Sequence, residues 1–255
     1  MTLIALTREI SDSIVRCELT HLARDPIDIT RARAQHASYE RALEGLGCEV
    51  RRLPAGNDMP DSVFIEDAAI VFDEIGILTW PGAESRRLEI AAVSEALQPY
   101  RRLVQIEDPG TLDGGDVLVA GRSVFVGLTS RSNPQALAQM RRALEPSGYT
   151  VSAASVRGCL HLKSAITAVT DTALLVNRRW VYDHEFAGFD LIDVDAEEPM
   201  GANIVRVNGG LLYASAFPKT RERLEQRGFT VTAVDAGELA KAEGAVTCCS
   251  LIFQR

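Results

Sequence analysis

The feature that most constrains the fold is a pattern that returns roughly every fifty residues. DVLVAGRSVFVG followed by SNPQALAQMRRALEPSGYTVSAA shares its order of elements with ANIVRVNGGLLYASAF followed by PKTRERLEQRGFTVTAV. Each has two apolar stretches around a Gly-containing turn, then an amphipathic helix, then a short strand. The helices RARAQHASYERALEGLG, NPQALAQMRRALEPSG and PKTRERLEQRG all end at a glycine, where a left-handed backbone closes the last turn. A brief apolar-polar alternation follows each glycine, from Cys48, Tyr149 and Phe229, and marks a half-buried strand leaving the helix.

The same pattern fits AIVFDEIGILTWPGAESRRLEIAAVSEAL and, more loosely, HLKSAITAVTDTALLVNRRWVYDHEFAGFDLIDVD. A fifth unit forms only if the C-terminal AVTCCSLIFQR joins the N-terminal TLIALTRE, so that the termini meet. Units that cannot bury their apolar faces alone should pack around an axis as a closed α/β array, with a site where they converge. The alternative is an ordinary open α/β sheet whose helices all use glycine stops.

With 46% hydrophobic and 24% charged residues, the 255-residue chain can bury one sizeable core or two small ones. No segment approaches the roughly 20 apolar residues a membrane span needs, so no membrane partner and a cytoplasmic location are expected. A net charge of -8 argues against nucleic acid as a partner and favours a small cationic one. The five cysteines lack zinc-site spacing and read as reduced thiols.

Five groups of residues can carry chemistry. Asp61 and the pair Glu66-Asp67 precede an apolar run; neighbouring carboxylates there are costly to bury without a cation, and a planar guanidinium matches carboxylates two oxygens at a time. Asp113 and Asp116 frame LDGGD, whose glycines permit close backbone approach. His161, among apolar neighbours, is the best placed of four histidines to carry a proton. Cys248 follows Gly244-Ala-Val-Thr near the start of a strand, and becomes a nucleophile if a histidine or cation tunes it. Arg86 and Arg131 occupy equivalent corners of two repeats and can clamp a carboxylate. Singly, each of these has an ordinary structural explanation.

Together, SVFIED, TWPGAESRR, TLDGGDVL, FVGLTSRSN, LHLKS, ANIV and TCCS resemble the dimethylarginine dimethylaminohydrolases in order and spacing over nearly the whole chain. The resemblance implies one pentein domain over residues 1–255, a five-unit β/α propeller in which the terminal strands close one module. It implies Cys248 as nucleophile, His161 as general acid/base and Asp113 as the supporting carboxylate. Glu66 and Asp67 would surround the guanidinium, Asp61, Arg86 and Arg131 would hold the amino-acid end, and Leu19 would be a lid contact. Trp80 departs from the family, where many relatives have Arg before PGA. The implied reaction hydrolyses methylated arginine to citrulline through a covalent thiouronium, with no cofactor and no metal beyond adventitious inhibitory zinc. The implied partner is a small guanidino substrate; a homodimer is admitted, but no sequence feature specifies one. Two alternatives stand beside it: a deiminase-type hydrolase of arginine or another guanidino compound, and a non-catalytic methylarginine-binding protein.

Overall fold

In the computed structural model, which describes residues 2–255, the repeat is a closed ring of five three-stranded sheets. The first unit holds β1 (Leu3–Arg8), α1 (Ile29–Gly45) and β2 (Cys48–Leu53). The second runs β3 (Ala69–Val71), β4 (Ile75–Leu78), α2 (Ile90–Leu97) and β5 (Arg102–Gln105). The third runs β6 (Val117–Ala120), β7 (Ser123–Leu128), α3 (Pro134–Leu144) and β8 (Thr150–Ser155). The fourth begins with the short helix α4 (Leu162–Ala165) and continues as β9 (Ile166–Ala168), β10 (Ala173–Val176) and β11 (Asp190–Asp193). The fifth has β12 (Ile204–Val207), β13 (Gly210–Ala214), α5 (Pro218–Gln226) and β14 (Val231–Val234). After α6 (Gly237–Ala240), β15 (Leu251–Gln254) returns to pair antiparallel with β1, so the termini meet as the repeat requires.

Every sheet has one antiparallel and one parallel pairing about its middle strand. Local chemistry sets the helix ends. Asp28 and Asn133 cap α1 and α3 by accepting N–H bonds from Arg31 and Ala136, each at 3.0 Å. Gly47, Gly148 and Gly228 take φ of 91°, 83° and 87° just after their helical segments, which a side chain would resist. The loosest repeat differs: between β10 and β11 there is only a single 3-10 turn, Asp183–Phe186, because the polar segment NRRWVYDHE offers no apolar helical stripe.

Five apolar clusters fill the gaps between neighbouring sheets, one at each junction around the ring. Leu6 and Leu251 of the first sheet, for example, pack with Leu78 of the second, and Leu212 of the fifth with Ala5 of the first. No unit owns a core, so burial is completed only on closure. The fold is therefore a five-unit β/α propeller. Its innermost strands, β3, β6, β9, β12 and β15, surround an axial channel of about 820 Å³. Among the described residues, no helix is long and apolar enough to cross a membrane.

Candidate active site

Each innermost strand is preceded by a short turn at the same end of the ring, and these turns carry the chemistry. Ile65–Ala68 presents Glu66 and Asp67 ahead of β3. Asp113 immediately precedes the turn Gly114–Asp116 ahead of β6, and His161 immediately precedes α4 ahead of β9. Asn203 stands directly before β12, and Cys248 lies in the turn Thr247–Cys249 before β15.

A pocket is lined by Cys248, His161, Asp113, Asp67, Asp61, Arg86 and Arg131. His161 Nε2 lies 3.1 Å from Asp113 Oδ2, and Asp113 Oδ1 accepts the Gly82 N–H at 2.9 Å, so the carboxylate is held from both sides. Asp67 Oδ1 accepts the Gly115 N–H at 2.8 Å, and its other oxygen is paired with Arg86. The glycines of LDGGD are needed here. A Cβ on Gly115 would fall 2.6 Å from His161 Nδ1, and one on Gly114 would fall 1.9 Å from the Glu66 carbonyl oxygen. Asp116 lies behind them and accepts bonds from Ser132 Oγ (2.6 Å), Thr129 Oγ1 (2.7 Å) and the Leu162 N–H (2.9 Å), tying the third unit to α4.

The adjacent acids part company. Asp67 faces the pocket, whereas Glu66 lines the axial channel, with Oε1 2.5 Å from Lys163 Nζ and Oε2 accepting from Thr247 Oγ1 at 2.7 Å. Asn203 completes this floor: it accepts the Thr247 N–H and donates to the Lys163 carbonyl and to Thr247 Oγ1, each at 3.0 Å. The floor thus separates pocket from channel. Lys163, Thr247 and Asn203 had no assigned role in the sequence reading, although Lys163 stands two residues from His161 and Asn203 lies within the ANIV motif.

Arg86 is a buried side chain rather than an open corner. Its Nε and Nη2 bond both Glu89 oxygens at 3.1 and 2.9 Å, Nη1 bonds Asp67, and Nη2 also faces the carbonyls of Asp61 and Phe64. With five N–H groups in all, only one on Nη1 remains for a ligand. Arg131 is half-buried and donates to Thr20 Oγ1 at 3.1 Å. Asp61 accepts the Glu18 N–H at 3.2 Å, tying down the loop that follows Cys17. Leu19 packs on the cluster between first and fifth units, as does Cys248. Trp80 does not line the pocket; it stacks under Arg87, 4.6 Å from ring centroid to guanidinium.

The electrostatics follow from burial among carboxylates. Burial alone would lower the His161 pKa, but the charge of Asp67, the bond to Asp113 and the charge of Asp116 outweigh it and raise it to about 9. Cys248 is pushed up to about 12, first by burial and then by the charges of Glu66 and Asp67. Burial would raise Asp67, yet His161 and Arg86 hold it well below the usual carboxylate range. At neutral pH the resting pair is therefore a thiol and an imidazolium. Asp67, Asp113 and His161 bring ligand-type atoms within 4.8 Å of one another, and the four carboxylate oxygens are each bonded already to Gly115, Arg86, Gly82 or His161.

A cysteine, a histidine and paired carboxylates at one end of a five-unit propeller define the class as a pentein with a cysteine-centred site. The chain matches the family profile described as N,N dimethylarginine dimethylhydrolase, eukaryotic, over residues 20–253. It is 39% identical to the N(G),N(G)-dimethylarginine dimethylaminohydrolase of Streptomyces coelicolor, covering 97% of this chain and 95% of that protein. It is 34% identical to the protein of that name from Pseudomonas aeruginosa, over 92% of each. A cysteine-to-serine mutant of the P. aeruginosa protein, solved with citrulline, superposes with a TM-score of 0.94 at 32% identity, covering 99% of this chain and 100% of that one. The chain belongs to the dimethylarginine dimethylaminohydrolase family.

Proposed function

We propose that the protein hydrolyses Nω-methylated arginine to citrulline and dimethylamine or methylamine. The observation that carries this reading is the convergence of Cys248, His161 and Asp67 on one pocket, in the family where a relative is seen with citrulline. The pocket is acidic where a guanidinium would sit. Asp67 faces it directly, and Asp61 and Arg131 offer opposite charges to the α-ammonium and α-carboxylate of an amino acid.

The chemistry follows from the resting charges. Burial and then the charges of Glu66 and Asp67 raise the thiol pKa, so a guanidinium beside Asp67 offsets part of that penalty and favours loss of the Cys248 proton to solvent. The thiolate attacks the guanidinium carbon, and the imidazolium of His161 protonates the departing amine. The resulting thiouronium is attacked by water, with the now neutral His161 as base, and collapse releases citrulline and the thiolate. Asp113 holds the imidazole in place throughout. Residues 1–255 act as one pentein domain, an assignment supported by the pairing of terminal strands and the shared cores. All five cysteines are free, which supports a reducing cytoplasmic location.

The test is incubation of purified protein with asymmetric dimethylarginine, monomethylarginine, arginine and agmatine, following ureido product and amine. Turnover of the methylated substrates supports the reading. Preferential turnover of arginine would replace it with a deiminase, and tight methylarginine binding without turnover by a non-catalytic protein.

A further inference from the structure

The segment that follows Cys17 has no regular secondary structure over residues 18–22, yet one side chain from the far end of the sequence fixes its backbone. Glu243 Oε1 accepts the N–H groups of His21 (2.5 Å) and Leu22 (2.7 Å), and Oε2 accepts that of Thr20 at 3.0 Å. Three successive backbone donors thus converge on one carboxylate, the arrangement of an anion nest. Glu243 lies in the loop that leads to Cys248; with Glu18, it lines the same pocket as the thiol. Its φ of 58° is left-handed, a conformation that glycine or asparagine takes more readily than glutamate. In that conformation the carboxylate reaches the backbone of residues 20–22.

We propose that Glu243 is a positioning residue that latches residues 18–22 over Cys248 and so sets how tightly the guanidino substrate is enclosed. The inference rests on the hydrolase reading for its kinetic consequence and on geometry alone for its physical one. Loss of the latch removes lid contacts made with bound substrate and leaves the reacting groups in place, so it should appear in KM more than in kcat.

The experiment uses Glu243→Gly and Glu243→Asn in the full chain, because both residues accept the left-handed backbone and both variants should melt no lower than the parent. Three measurements are taken: amide exchange at residues 20–22, alkylation of Cys248 by a bulky maleimide, and steady-state kinetics. The expected result is faster exchange confined to this segment, alkylation faster by about tenfold or more, and KM raised by about tenfold with kcat within about threefold. Unchanged exchange and alkylation, or a fall in kcat with KM unmoved, would overturn the latch. If a variant melts lower, with exchange accelerated throughout the chain, Glu243 is a folding determinant and the proposal also fails. Absence of turnover by the parent protein would refute the hydrolase reading instead; exchange and alkylation would still judge the latch.

Discussion

Replacing Asp113 with asparagine tests the electrostatic description of the site. In the parent protein His161 is buried but titrates near 9, against an ordinary value of about 6.5. Holding the imidazolium that far up corresponds to about 3 kcal/mol. Because the folded pKa lies above the unfolded one, this stabilisation is fully present below about pH 6.5 and is lost as pH rises through about 9. Asp113 supplies both a 3.1 Å hydrogen bond and a negative charge. A hydrogen bond to a charged group contributes about 1.5–3 kcal/mol. Asp113→Asn should therefore bring the imidazole pKa down to about 7–8 while the Gly82 N–H still finds an acceptor. The assay is an NMR titration of the His161 ring alongside the pH profile of kcat/KM, whose basic limb reports loss of the imidazolium in the free enzyme. The limb should move to lower pH with the ring titration, and urea unfolding should lose its pH dependence between about 7.5 and 9. An imidazole that still titrates near 9 in Asp113→Asn would refute the assignment of Asp113 as a main source of the shift.

Cys248→Ser should abolish turnover while Cys249→Ser retains it, because Cys249 is buried with its thiol directed to the Ala245 carbonyl at 3.6 Å; equal loss of activity by ureido assay would undo the choice of nucleophile. Arg86→Met should lower stability by about 3–5 kcal/mol in urea melts, since it strips buried Asp67 and Glu89 of their shared cation. A variant with parent stability and only a raised KM would mark Arg86 as a substrate clamp instead. Gly115→Ala should fold but lose activity by about a hundredfold or more, because its Cβ would displace His161 or Asp67, and a misplacement of that size costs about 10²-fold. Steady-state kinetics with an unchanged near-ultraviolet CD spectrum checks it.

The architecture was legible because its grammar is local. A glycine after the last helical turn, an Asn or Asp cap and a two-residue alternation are each written in contiguous sequence, and Gly47, Gly148 and Gly228 stand where the repeat places them. The fourth unit was the weakest match to the repeat, and it is the unit that replaces its helix by a 3-10 turn. Candidate acids, histidine and thiol were also visible, as residue types costly or reactive when buried. Their division of labour was not. Whether Glu66 or Asp67 faces the pocket depends on one peptide in a 3-10 turn, and Arg86 is indistinguishable from a surface arginine until Glu89, three residues on, and Asp67 close around it. Glu243 left no signal at all: its partners are backbone N–H groups more than two hundred residues away.

Ring closure explains why the chemistry can be spread so widely along the chain. Five inner strands start at one end of the axis, so five equivalent turns face one another, two supplying acids and the others histidine with lysine, asparagine, and the thiol. Crowding carboxylates there has a consequence for reactivity. Together with burial, it keeps the free protein as thiol and imidazolium, a state in which the cysteine is unreactive and the histidine carries the proton that the proposed reaction delivers to a leaving amine. A cation entering beside Asp67 relaxes both shifts in the same direction, lowering the thiol pKa and the imidazolium pKa together. In the proposed reaction the guanidinium is then both the substrate and the charge that switches the nucleophile on, whereas a neutral ureido product restores the unreactive state as soon as it forms.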